Sequence, residues 1–211
     1  MNSFSSMEKL YNLADLIFTF FTLSFCWIVG TLLGGIVFGW APSTSSVLAV
    51  LRDHIMSREK FAFRSFFSNY KSYFVESNKI GLIISTLSVI IYINRQNFIL
   101  HDEIIFNILT GLSTFSAFIL AGLTLYIFPL LVHYEVKVKK AFIQSFAFMI
   151  FRPHYTIILG LWTWIIFSIS FMIPGLALFF GISLFSYGWM AITYQLFRRN
   201  EEYLKEQQKT A

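Results

Sequence analysis

The chain has 211 residues, of which 56% are hydrophobic and 13% charged, with a formal net charge of +5. An average soluble domain carries about 25% charged residues, and a chain this short has no core large enough to hide so much apolar surface, so a water-soluble globule is excluded. The one cysteine, Cys26, rules out an intramolecular disulfide and reads as packing in an apolar segment.

Residues Met1 to Asn12 form a short polar lead, and Asp15 follows as an acid expected near a helix N-terminus, where it complements the macrodipole. Leu16 to Phe38 then runs for 23 residues without a charge. At about 1.5 Å per residue it reaches roughly 34 Å, enough for a hydrocarbon core of about 30 Å. The first membrane span is therefore expected over about 14–39. It is too long for a signal-peptide apolar region and is expected to stay in the mature protein. Gly30 and Gly34, and again Gly35 and Gly39, are four apart, a spacing that lets a neighbouring helix approach closely. Trp40 and Pro42 are read as its interfacial anchor and stop.

An interfacial amphipathic segment is expected over about 45–76. Ser43, Thr44 and Ser45 offer N-caps for a helix to Ser57. Beyond it Phe63, Phe66, Phe67, Tyr70, Tyr73 and Phe74 recur at three- and four-residue steps, with Lys60, Arg64 and Lys71 elsewhere on the wheel. Such an aromatic stripe with a basic flank lies in the headgroup plane or packs on the bundle. A second span follows over about 78–99, with Lys79 snorkelling, and Asp102 and Glu103 mark a turn. The third span covers about 106–131, with Ser113, Ala117 and Ala121 as a small-residue stripe. A second amphipathic segment covers about 136–151, where Lys137, Lys139 and Lys140 precede Phe142, Phe146, Met149 and Ile150. From Pro153 to Phe197 no Asp, Glu, Lys or Arg occurs in 45 residues, room for spans over about 154–173 and 176–197 with a break at Pro174-Gly175. A span, a Pro-containing end and a basic amphipathic helix occur twice, around Pro42 and Pro129, a faint sign of parallel duplication.

The fold class expected is thus an all-α membrane protein, a single domain over 1–211 with five transmembrane helices and two cytoplasmic amphipathic segments. Fourteen of the 16 basic residues fall in the first and third connections and the tail. The positive-inside rule then places the N-terminus outside and the C-terminus in the cytoplasm.

Chemistry is sparse. No ionisable side chain lies deep in a span, which argues against proton- or sodium-coupled transport. HExxH, GxSxG, CxxC and phosphate-cradling glycine loops are missing, and His54, His101, His133 and His154 are scattered. No cofactor, metal, nucleic-acid partner or enzymatic activity is expected.

The stretch GGIVFGWAPSTSSVLAVLR, followed by FRSFFSNYKSYFVESNKIG, resembles the YesL-type family of small bacterial membrane proteins. Matching positions are Gly35, Gly39, Pro42, Arg52, Phe66, Tyr70, Phe74, Asn78 and Gly81, and the FPLLVHYE segment also fits, while Ser43 departs slightly from the family's Ala or Thr. The resemblance implies a multi-span protein of the bacterial plasma membrane without an assigned activity, in an accessory role beside carbohydrate uptake systems. It supplies no catalytic residue. The expected partners are the lipid bilayer and either a sugar-uptake permease or a second copy of the chain. The rival reading is a small permease or channel for neutral solutes, with a polar path lined by Ser85, Thr86, Ser113, Ser168 and Ser170. A membrane enzyme comes third and needs a polar cleft gathering His133, Glu135 and Arg152.

Overall fold

The computed structural model describes residues 2–57, 63–100 and 103–210, and within them the side chains from Ala14 onward except those of Leu178, Leu204, Lys209 and Thr210. Arg58, Lys60, His101 and Asp102 lie outside the described residues. Every regular element described is helical: α1 (Asn2–Leu33), α2 (Trp40–Ser57), α3 (Phe63–Ile99), α4 (Ile104–Tyr134), α5 (Val138–Phe151), α6 (Pro153–Met172), α7 (Pro174–Leu176) and, after a π-helical turn at Ala177–Gly181, α8 (Ile182–Thr210). Four of these are long and apolar enough to cross a membrane: Ala14–Leu33 within α1, then α3, α4 and α6. The chain is a membrane-embedded helical protein.

The first span ends earlier than its apolar run suggests. α1 stops at Leu33 because Gly35 adopts φ +66°, and the amides of Gly35 and Ile36 turn back to the carbonyls of Leu32 and Thr31. This is a Schellman ending with glycine in the left-handed position, where a Cβ is penalised. Ile36 shares that conformation, with φ 66°, which is uncommon for a β-branched residue. Gly39 lies against the backbone of Thr31. Three of the four spaced glycines therefore build a tight turn, and only Gly30 meets a neighbouring helix, its face lying against Ser43 and Phe66.

Pro42 does not stop α1; it stands in the first turn of α2, where its missing N–H leaves no bond unmade. Asp15 is likewise displaced from a cap, because α1 begins at Asn2 and places it well inside the helix, exposed. Pro129, read as the end of a span, sits inside α4, which continues to Tyr134.

The segment expected at the interface over 45–76 divides in two. α2 is buried, with Ala41, Val47, Leu48, Ala49 and Leu51 in the core alongside Ser43, Ser45 and Ser46. Two of these serines find partners within the protein: Ser46 donates to the Pro42 carbonyl at 2.6 Å, and Ser77 of α3 donates to Ser45 at 2.7 Å, while the Ser43 hydroxyl is buried with no hydrogen-bond partner. Residues 63–76 instead continue without a break into the second span, so α3 is one helix of 37 residues. Asn78 is accommodated there by donating to the Phe74 carbonyl at 2.9 Å.

The expected fifth span, 176–197, falls on the π-helical turn and on the part of α8 before Arg198. No break separates Pro174 from α8; the π turn is the insertion of one residue into a continuing helix. Ser24 of α1 bonds Ser183 of α8 at 2.8 Å, and Ser183 donates to the Phe20 carbonyl at 2.6 Å. Polar links of this kind join helices where no aqueous hydrophobic effect drives them together.

Candidate functional site

The C-terminal end of α4 is where the basic segments meet. Carbonyls in the last turn of a helix have no intrahelical partner. The Val132 carbonyl in that turn accepts from Arg52 Nη1 of α2, and the Tyr73 hydroxyl of α3 reaches it at 3.5 Å. A cation there also complements the macrodipole. Asp53 holds the same guanidinium, its Oδ1 2.9 Å from Nε and 2.8 Å from Nη2. Burial works against the charge on Arg52, yet the Asp53 carboxylate and the Tyr73 hydroxyl together outweigh it and raise the pKa above the ordinary arginine value.

One residue further along α4, His133 Nε2 meets Glu201 Oε1 of α8 at 3.2 Å. Its ring lies among Tyr134, Tyr194 and Phe197, and its buried Nδ1 has no partner. α5 starts just beyond at Val138 and returns Phe148 to Phe197, with ring centroids 5.5 Å apart. The first connection, the third connection and the tail thus share one end of the bundle.

The nine residues singled out in the sequence fasten this end together. The Tyr70 hydroxyl donates to the Gly30 carbonyl at 3.0 Å, tying α3 to α1. Phe66 is fully buried against Gly30, and Phe67 and Tyr70 flank it. Gly81 admits α2, since a Cβ there would come within 2.7 Å of the Ala41 Cβ and 3.1 Å of the Trp40 ring. Asn78 is buried with Phe74 as its acceptor, and Phe74 reaches the surface beside Tyr70. Gly35, Gly39 and Pro42 shape the turn into α2, and Arg52 bolts α2 to α4. What the sequence could not show is the other half of each contact: Val132, Gly30 and Ala41 carry backbone or methyl groups with no chemical signature, and Glu201 lies 68 residues from His133.

Two of the five hydroxyls named for a solute path bond within their own helix. Ser168 and Ser170 donate to their own helix, at the carbonyls of Trp164 and Ile166. Ser170 lines a groove of about 370 Å³ between α6 and α8, with Thr163, Ala177 and Phe185. A separate groove of about 260 Å³ between α3 and α4 is lined by Ser88, Arg95, Ala117 and Thr124. His133 takes Glu201 as its partner, while Glu135 is the exposed, left-handed C-cap of α4. Among the described residues no three His, Cys, Asp or Glu side chains are placed to hold a metal.

The family described as "Protein of unknown function, DUF624" matches residues 20–95, the stretch that contains all nine of those positions. The chain is 31% identical over 176 residues to the uncharacterized protein YesV of Bacillus subtilis (strain 168), covering 83% of this chain and 85% of that protein. It is 30% identical over 209 residues to the uncharacterized protein YteU of the same organism, covering 97% and 92%. The chain belongs to this family. A third family member, the uncharacterized protein YesL of that organism, is 26% identical over 196 residues and covers 90% of this chain and 89% of its own, in keeping with the YesL-type pattern of residues in α2 and α3. No solved structure matches the chain.

Proposed function

We propose that this family member is a non-enzymatic accessory protein of the bacterial plasma membrane that docks a protein partner on its cytoplasmic end. The chain crosses five times in this reading, the fifth through the helix running on from Pro174, with the N-terminus outside and the C-terminus inside. The observation that carries it is the convergence of the basic connections around the end of α4, with Arg64, Ser65, Ser68, Lys71 and Ser72 exposed on α3. A polar, cationic helix face beside the headgroups suits an acidic protein surface. A sugar-uptake permease is the partner we favour, on the strength of the resemblance to YesL-type proteins alone.

Crosslinking in intact cells, followed by detergent extraction and mass spectrometry, tests docking: a stoichiometric membrane partner is expected, and its loss in Arg64→Glu/Lys71→Glu with the variant still folded. Recovery of the chain alone overturns the reading. The topology is tested separately by impermeant thiol labelling on intact cells. Glu103→Cys should react and Glu206→Cys should not; equal reactivity overturns the orientation.

A further inference from the structure

The outward face of α5 differs in kind from that of α3. Ile143, Phe146 and Ile150 recur at three- and four-residue steps and are all exposed, Phe146 at 47%, and Phe151 ends the stripe at 79%. The opposite face is fixed to the bundle: Ala141 and Ser145 are buried, Phe148 stacks on Tyr126 with centroids 6.3 Å apart, and Met149 lies against Gly122. α5 therefore cannot roll its apolar stripe inward. At its start Lys137, Lys139 and Lys140 are exposed.

Among the described residues no carboxylate forms an ion pair with these lysines, and no Asp or Glu occurs between Glu135 and Glu201. Four carboxylates elsewhere take other cations: Asp53 has Arg52, Glu76 has Lys79, Glu201 has His133 and Glu202 has Arg198. Both ends of α5 are also tied to membrane level, because only residues 135–137 separate it from α4 and Arg152 alone separates it from α6, two of the helices long enough to cross.

We propose that α5 is the chain's binding surface for anionic phospholipid, its stripe seated among the acyl chains and its three lysines on the phosphates. An in-plane helix with an apolar face and clustered lysines has this complementarity. The inference rests on the membrane placement proposed above but not on the docked protein partner, and the two fail in different experiments.

The test uses the full chain in lipid nanodiscs of phosphatidylcholine with or without phosphatidylglycerol. A nitroxide on Phe146→Cys reports the stripe, since the native Cys26 is buried. The expected result is strong relaxation by oxygen and little by an aqueous nickel chelate. Relaxation by nickel overturns the proposal in favour of a water-facing surface, and shielding from both agents overturns it in favour of a second copy of the chain. In detergent, native mass spectrometry should show phosphatidylglycerol retained over phosphatidylcholine. Lys137→Gln, Lys139→Gln and Lys140→Gln together should weaken that retention by about fivefold per charge. Equal retention of the two lipids, or no effect of the lysine variant, overturns it. Competition by soluble glycerol phosphate at equal strength would assign the lysines to a free anion and also overturns it.

Discussion

The beginning of α3 and the whole of α5 look alike as sequence: each is a run of aromatic and aliphatic residues at helical spacing beside lysines or arginines. Their placement separates them. In α3 the middle of the stripe turns inward, where Phe66 fills the space against Gly30 and Tyr70 bonds a backbone carbonyl, and the surface carries Arg64, Ser68 and Lys71 together with Phe63 and Phe74. In α5 Ala141, Ser145, Phe148 and Met149 face the bundle, and Ile143, Phe146 and Ile150 face out. Amphipathicity states that a helix has two faces. Which face meets protein depends on what stands opposite, here a glycine on α1 for α3 and the side of α4 for α5.

The comparison is broken most directly by truncating one aromatic from each stripe. Phe66→Ala should cost about 3–5 kcal/mol as a cavity in a packed core, whereas Phe146→Ala should stay within about 0.5 kcal/mol; unfolding in mixed micelles measures both. Similar losses would mean that the two helices pack alike.

A smaller effect is expected from Arg52→Ala, which removes the guanidinium from the Val132 carbonyl and from Asp53. Charged hydrogen bonds of this kind are worth about 1.5–3 kcal/mol, and the same unfolding assay should register a loss in that range. Phosphatidylglycerol retention should not change, since Arg52 ties α2 to α4 at Val132 and pairs with Asp53. A lipid effect would join the two regions that the structure separates.

The smallest change sharpens the account of α3. Tyr70→Phe deletes only the bond to the Gly30 carbonyl and should lower stability by about 1 kcal/mol, with the ring contacts to Phe66 and Phe74 kept. No loss would leave the aromatic packing alone to join α3 to α1.

Much of this end of the bundle was legible because its residues are restricted by type. Gly81 and Gly39 stand where a Cβ would collide with Ala41 and with the backbone of Thr31, and Arg52 is a buried charge that must find acceptors. The family resemblance fell on these positions. Other readings went astray where a residue type has two uses. Pro42 ends a helix or begins one, and it begins α2. Gly34, Gly35 and Gly39 serve helix packing or a turn, and they make the turn. Ser43, Thr44 and Ser45 cap a helix or stand inside one, and they stand inside α2, where Ser45 takes Ser77 as its partner.

By itself the sequence determined that most of this chain lies in lipid, that it is helical, and that its cations gather in three of its connecting segments. Those properties follow from composition and from the obligation of a backbone in oil to bond to itself. Only the tertiary structure decided that α2 is interior, that Arg52 closes the end of α4, and that α5 rather than α3 turns its apolar side outward. Each of these depends on pairing groups distant along the chain, and a hydrogen bond to a bare carbonyl such as that of Val132 or Gly30 leaves no mark in the residue that supplies it.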